Sequence, residues 1–174
     1  NIRQAPTGTG VTLPLQAAAG PALTYTQIYE KNAPSIVSIE SQSQSEYGTG
    51  TGIIMTEDGY IITNAHVVAG ADEVRVALSN NSVLQASLVG FDADEDLAVL
   101  KVDASGLTPA EFGDSAALRI GDPVAAIGDP LGYRSTITDG IISALDREVE
   151  VDGTTMVLIQ TSAAINFGNS GGAL

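Results

Sequence analysis

Apolar residues alternate with polar ones along most of the chain, in short runs separated by turn residues. The run "GIIMTEDGYIITN" places two apolar stretches around Asp58–Gly59, a strong hairpin signal. The run "VRVALSNNSVLQASLVG" repeats the pattern around Asn80–Asn81. Ser35–Glu40 alternates as a strand, and "DLAVLKV" has the composition of a buried strand. The first half is therefore predicted to consist of paired antiparallel strands.

The second half continues this pattern after a polar segment. Residues 107–123 are interrupted by Gly and Pro, which indicates a connection between two halves. Further strands follow in "PVAAIGDP", "STITDGIISAL" and "EVEVDGTTMVLIQT", with Asp152–Gly153 as a turn. Gly140 indicates a bulge or a close backbone approach. Because long amphipathic helices are absent, the pattern predicts an all-β fold, an antiparallel barrel or sandwich, and not a parallel α/β sheet.

The N-terminal region differs from the rest. Residues 1–22 mix Gly, Pro, Thr and Ala without a period, which predicts a linker or a loosely ordered arm. Thr24 or Thr26 then caps a short helix that ends before Pro34.

Composition excludes several classes of function. The 174 residues include only seven Lys and Arg, and the formal net charge is −14, which disfavours binding to nucleic acids and anionic membranes. The absence of Cys excludes disulfides, thiolate catalysis and Cys-ligated zinc, and a single His excludes multi-histidine metal sites. We expect no cofactor and no metal. The start lacks the basic region and apolar core of a signal peptide, so we expect a mature or engineered start without its targeting segment.

The segment "NFGNSGGAL" offers a candidate nucleophile, Ser170. Glycines on both sides let a substrate approach closely and let successive N–H groups turn toward one point. The N–H groups of Gly168 and Ser170, with Asn169 between them, are candidates to hold an oxyanion. A Gly-rich turn without catalytic function explains this motif equally well.

A nucleophilic serine needs a base, and His66 in "TNAHVV" is the only imidazole. Among the acids of "DADEDLAVL", only Asp96 directly precedes the buried run, so it is the candidate that orients the imidazole. A lone His is more often structural, and the other acids fit a solvated loop. The order His66, Asp96, Ser170 is nevertheless that of chymotrypsin-like folds.

Four segments carry a family resemblance: "TGIIMTEDGYIITNAHVV", "DLAVLKV", "GDPLGYRSTITDGIISAL" and "QTSAAINFGNSGGAL". From about residue 24 onward the chain resembles the HtrA (DegP/DegS-type) serine proteases. The resemblance implies a chymotrypsin-like double antiparallel β-barrel, with an arm at residues 1–23, a first barrel at 24–106 and a partial second barrel at 107–174. It also implies His66, Asp96 and Ser170 as the catalytic triad and Gly168, Asn169 and Ser170 as the oxyanion hole.

The function implied by this resemblance is ATP-independent cleavage of unfolded or misfolded proteins in quality control. It further implies a homotrimer, an extracytoplasmic location in the bacterial periplasm or cell envelope, and usually one or two C-terminal PDZ domains. Tyr25 and Tyr29, at helical i,i+4 spacing, either pack onto the barrel or contribute to the trimer.

Departures from the family pattern limit these expectations. Phe167 and Ala173 stand where the family often has Pro, Ser162 where it has Asp, and Asp129 where it has Asn. We expect the second barrel to be incomplete, because no strands follow the serine motif, and no PDZ domain is visible. The alternative is therefore an inactive, protease-like fragment that binds peptides or supports oligomerisation. The "GTGTG" of residues 48–52 precedes a strand and lacks the P-loop lysine, which excludes a nucleotide loop.

Overall fold

The computed structural model describes residues 2–6, 12–16, 21–129, 135–151, 153–166 and 168–174. The elements in chain order are β1 (Leu15–Gln16), α1 (Tyr25–Asn32), β2 (Ile36–Gln42), β3 (Tyr47–Ile54), β4 (Tyr60–Thr63), α2 (Ala65–Val68), β5 (Glu73–Ala77), β6 (Val83–Asp92), β7 (Leu97–Val102), β8 (Phe112–Gly113), β9 (Pro123–Gly128), β10 (Thr136–Val151) and β11 (Thr154–Thr161). Short 3₁₀ helices cover Ala33–Ser35 and Ser115–Ala117. The predicted all-β fold is confirmed.

Six strands form a closed barrel in the order β2-β3-β4-β7-β6-β5, and all of its neighbours are antiparallel. The barrel closes because β2 pairs with β3 on one side and with β5 on the other. Alternate side chains of these strands point inward, as the period of two requires. The largest fully buried apolar side chains of this core are Val37, Ile39, Ile54, Ile61, Val74, Val76, Leu100 and Val102.

Both predicted turns of the first half are confirmed. Asp58–Gly59 lies between β3 and β4, where the Met55 N–H donates to the Tyr60 carbonyl at 2.8 Å. Asn80–Asn81 lies between β5 and β6, where the Leu78 N–H donates to the Ser82 carbonyl at 2.9 Å.

The helix α1 begins directly after Thr24, one of the two predicted N-cap residues. The Thr24 hydroxyl accepts the Gln27 N–H at 3.3 Å, and the Gln27 side chain accepts the Thr24 N–H at 2.9 Å. This reciprocal capping box selects Thr24 over Thr26. The helix ends at Asn32, before Pro34, as predicted.

Described residues of the N-terminal arm make backbone hydrogen bonds to the barrel, which the sequence did not predict. Leu88 of β6 donates its N–H to the Arg3 carbonyl and accepts the Ala5 N–H, each at 2.8 Å. β5 pairs with only residues 83–85 of β6, so the N–H and carbonyl groups of Leu88 have no partner in β5. They bond to the arm instead, because buried backbone groups need hydrogen-bond partners. The strand β1 likewise pairs in parallel with β8.

The second sheet has the order β11-β10-β9 and is antiparallel. It follows the predicted connection, in which Arg119 donates to Asp122 through its guanidinium and its backbone N–H and lowers the pKa of Asp122. In the described part of the chain these strands form an open sheet, as the expected partial barrel requires. The turn residue Asp152 lies outside the described residues. The division into three segments at residues 23 and 106 stays a prediction.

Gly140 confirms the predicted close approach. A Cβ atom at this position would overlap the backbone nitrogen of Ala163 and lie 2.7 Å from the Ala163 Cα. Only glycine lets β10 pass the segment that leads from β11 to the serine motif.

Candidate active site

His66 and Asp96 form a direct pair. The imidazole Nδ1 lies 2.7 Å from Asp96 Oδ2, and the His66 backbone N–H donates to Asp96 Oδ1 at 2.9 Å. Both carboxylate oxygens therefore contact the same residue. Because a carboxylate only accepts hydrogen bonds, Nδ1 donates to it, and in the neutral imidazole Nε2 is then the acceptor. This is the arrangement that a general base needs.

The backbone around the pair fixes its geometry. His66 lies in α2, directly after β4, and Asp96 ends the loop before β7. The Asp96 carbonyl accepts the Ala65 N–H at 3.1 Å and the Asn64 side-chain N–H at 2.9 Å. Asp96 has a positive φ of 50°, a conformation that Asp tolerates better than most residues. The His66 side chain is 58% exposed and that of Asp96 28%, so the imidazole is the part open to a substrate.

A backbone hydrogen bond holds Ser170 against the barrel. Its carbonyl accepts the Thr51 N–H of β3 at 2.8 Å. A Cβ atom at Gly50 would lie 2.6 Å from Val67 Cγ1 and 3.2 Å from the Ser170 carbonyl oxygen. The serine loop, residues 168–171, and α2 therefore both pack against this strand. Between these described residues no hydrogen bond joins Ser170 to His66. Such a bond is often long in a site without substrate.

The Asn169 N–H donates to the Asn166 carbonyl at 3.1 Å. The N–H groups of Gly168, Ser170 and Gly171 have no hydrogen-bond partner among the described residues, and the first two are the candidate oxyanion donors. Gly168 has a φ of 96°, which only glycine adopts without strain. Asn169, expected as part of the oxyanion hole, thus lies there as a spacer whose own N–H is already used.

Two departures from the family pattern have a structural account. Ala173 exchanges two 2.9 Å backbone hydrogen bonds with Ile127 of β9, and one of them needs an N–H that Pro lacks. The Ser162 hydroxyl accepts the Ile141 N–H at 3.1 Å. Phe167 and Pro130 lie outside the described residues.

A cleft of about 720 Å³ opens beside His66 and Asp96. Its walls are mostly apolar and come from the N-terminal arm, α2, β6 and the β10–β11 hairpin. The apolar contributors include Ile2, Val68, Leu88, Phe91, Val151 and Met156.

Sequence reasoning missed Thr51 and Asn64. Thr51 lies in the "GTGTG" segment, which forms part of β3 and is no nucleotide loop, as predicted. The signal that could have identified Thr51 was a polar residue at a strand position whose side chain points into the barrel. The partners of its hydroxyl, Gly168 and Asp129, lie 117 and 78 residues away, and no local pattern reveals them.

Among the described residues no group of three potential metal ligands is found. The helices in that part of the chain are too short or too polar to cross a membrane.

Comparison with known proteins identifies the family of this chain. Residues 50–174 match the family described as trypsin-like peptidase domain. A probable periplasmic serine endoprotease, DegP-like, of Halomonas elongata is 50% identical over 135 residues. The chain belongs to the HtrA family of trypsin-like serine proteases. A further HtrA relative, the serine protease Do-like HtrA of Lactobacillus helveticus, is 43% identical over 165 residues, which cover 91% of this chain and 40% of the relative.

Solved structures of the HtrA family share the fold. The HtrA-type protease AlgW with tripeptide has a TM-score of 0.81 at 43% identity, and the match covers 87% of this chain and 50% of that one. The Halomonas match covers 78% of this chain and 28% of that relative. The chain thus spans between about a quarter and a half of these proteins, so the activity of the whole protein is a matter for proposal.

Proposed function

We propose that the protein containing this chain is a serine endopeptidase in which Ser170 is the nucleophile, His66 the base and Asp96 the orienting acid. The observation that carries this proposal is the 2.7 Å contact between His66 Nδ1 and Asp96 Oδ2. Beside it lies the serine loop, in which the N–H groups of Gly168 and Ser170 lack a partner among the described residues. Nucleophilic catalysis by serine needs this combination of base, orienting acid and oxyanion donors.

The reaction is acyl transfer. The Ser170 hydroxyl attacks the carbonyl carbon of a peptide bond while His66 Nε2 takes its proton. The N–H groups of Gly168 and Ser170 hold the oxyanion that forms. The C–N bond then breaks, and the leaving amine receives the proton from His66. Water, deprotonated by His66, releases the acyl group and restores Ser170.

The substrates we propose are extended or unfolded polypeptides with aliphatic side chains. The apolar cleft beside His66 supports this choice, as does the tripeptide in the related AlgW structure. A peptide bond is thermodynamically unstable in water, so its hydrolysis needs no ATP. Because several relatives are named periplasmic endoproteases, we propose an extracytoplasmic role in protein quality control. The homotrimer implied by the family resemblance stays part of this proposal.

A fluorophosphonate probe tests the nucleophile in the full-length protein. We expect covalent labelling of the wild type and complete loss of labelling in Ser170→Ala. Ser45→Ala is the matched control, because Ser45 is exposed and its hydroxyl makes no hydrogen bond in the described part of the chain. It should label like the wild type. An unlabelled wild type would contradict the proposal and favour a non-catalytic, peptide-binding role.

Substrate class is tested separately. The full-length protein should digest a permanently unfolded protein without ATP and leave the native form of the same protein intact. Equal digestion of both forms would contradict the quality-control role and leave the triad proposal standing.

A further inference from the structure

Thr51 is a polar residue in the middle of β3 that is fully buried, at 0% exposure. Its backbone N–H donates to the Ser170 carbonyl at 2.8 Å, and its hydroxyl donates to the Gly168 carbonyl at 2.6 Å. The same hydroxyl accepts the Asp129 N–H at 2.8 Å. The Thr51 carbonyl accepts the Thr63 hydroxyl at 2.7 Å. Every polar group of this residue therefore has a partner in another segment.

The strand register explains why Thr51 is free to make these contacts. The β3–β4 ladder includes only Ile53 and Ile54 of β3, so the backbone of Thr51 has no ladder partner on that side. The serine loop occupies this edge instead. A Cβ atom at Gly171 would overlap the Thr51 carbonyl and the Thr63 hydroxyl, which shows how closely the loop lies against the barrel.

Thr51 contacts two carbonyl groups that flank the peptide bond between Asn169 and Ser170. The hydroxyl fixes the Gly168 carbonyl, and the backbone N–H fixes the Ser170 carbonyl. A peptide group is planar, so these contacts fix the peptide groups 168–169 and 170–171. The N–H groups of Gly168 and Ser170 belong to the adjoining peptide groups, whose orientation depends on these fixed neighbours. Gly168, with its φ of 96° and no Cβ, has a wide choice of orientations unless something holds it.

We propose that the Thr51 hydroxyl is the positioning group of the oxyanion hole: it holds Gly168 in the orientation that turns the Gly168 and Ser170 N–H groups toward the reacting carbonyl. This inference rests on the proposed function. The serine itself stays anchored by the Thr51 backbone N–H, which a side-chain substitution does not remove. Loss of the hydroxyl should therefore affect the oxyanion hole more than the nucleophile.

The Asp129 contact extends this role to the second sheet. A Cβ atom at Gly128 would lie 2.6 Å from Asn169 Oδ1 and 2.9 Å from Asn169 Cα, so the end of β9 packs directly on the serine loop. The Thr51 hydroxyl bonds to both of these segments at once. The Thr51 hydroxyl thus fixes the position of the serine loop relative to the barrel that carries His66.

The test compares Thr51→Val with the wild type in the full-length protein, on a chromogenic peptide substrate, per titrated active site. Valine keeps the branched shape and removes the hydroxyl. Loss of one oxyanion donor costs about 10²–10³-fold in turnover, and loss of its positioning group should cost about 10–10²-fold in kcat. KM should stay within about threefold, because the interaction strengthens only in the transition state. Affinity for a peptide aldehyde, which forms a tetrahedral adduct, should fall by the same factor as kcat/KM.

Two variants make the test specific. Thr51→Ser restores the hydroxyl and should recover kcat to within about threefold of the wild type. Thr49→Val makes the same change two residues earlier in β3, at a hydroxyl without a hydrogen bond among the described residues, and should leave kcat unchanged. If Thr51→Val does not fold, Thr51→Ala carries the same prediction.

The outcomes separate this inference from the proposed function. An active wild type with unchanged kcat in Thr51→Val, a change in KM alone, or no rescue by Thr51→Ser would overturn the positioning role only. A wild type without hydrolytic activity would overturn the proposed function and this inference together.

Discussion

At the scale of single residues, Asp96 combines backbone and side-chain functions. Its carbonyl accepts two hydrogen bonds from the residues before His66, and its carboxylate accepts two more from His66 itself. Its positive φ turns the chain so that both groups face α2. A merely solvated loop acid would not need these contacts, which supports its proposed role as the orienting acid.

Asp96→Asn tests that role with little disturbance of the backbone, since Asn also tolerates positive φ. The amide would donate to Nδ1, which moves the imidazole proton to Nε2 and removes the base. We expect kcat/KM of the full-length protein to fall about 10⁴-fold with little loss of stability. Glu95→Gln, the corresponding carboxylate-to-amide change one residue earlier, should be near neutral, because the Glu95 side chain is exposed and makes no hydrogen bond among the described residues. Equal kinetics for Asp96→Asn and the wild type would show that Asp96 does not orient the base.

The sequence predicted candidate site residues where the chemistry allowed few choices. His66 had no competitor, and Asp96 was selected by its place before a buried strand. The structure joins these two directly. Thr51 and Asn64 escaped prediction because hydroxyl and amide side chains are common, and their roles depend on contacts across 117 and 32 residues of chain. The sequence also named the N–H groups of Gly168 and Ser170 as candidate oxyanion donors, and neither has a hydrogen-bond partner among the described residues.

At the scale of elements, the sequence predicted the turns but not the pairing of the N-terminal arm with a barrel strand. The hairpin at Asp58–Gly59 follows from local turn chemistry. The arm at residues 3–5 pairs with Leu88 only because β5 stops short of it, and a strand's length is set by its neighbours in the barrel. Tertiary pairing therefore ordered a segment whose own composition predicts a linker.

Gly140 offers a test at this scale. In Gly140→Ala the new methyl group would collide with the backbone of Ala163, which cannot move without displacing the segment that leads to Ser170. We expect a loss of about 1–3 kcal/mol in the free energy of unfolding, measured by urea denaturation. Gly90→Ala is the matched control, because a methyl group added to Gly90 in β6 would meet no described atom within 4 Å. Its effect should stay within about 0.5 kcal/mol, and equal losses in both variants would argue against a steric cause.

At the scale of the whole molecule, the two sheets differ in how much they bury. The barrel contains nearly all of the large side chains that are buried in the described part of the chain, whereas no residue of β11 is buried. Exposed Val157 and Ile159 lie on that outer strand. The serine loop connects the two, since it follows β11 and docks on β3 through Thr51. The less buried of these two sheets is therefore attached to the barrel at the candidate active site.

This difference predicts a gradient of local stability within the chain of residues 1–174. Amide protons of β4 and β7 should exchange with solvent only on global unfolding, and those of β11 through local opening, faster by at least about tenfold. Hydrogen exchange followed by mass spectrometry measures both. Leu100→Ala should cost about 2–5 kcal/mol at a fully buried position of the barrel, speeding exchange there while leaving β11 unchanged. Identical exchange in β11 and β7, with the same response to Leu100→Ala, would show that the two sheets unfold as one cooperative unit.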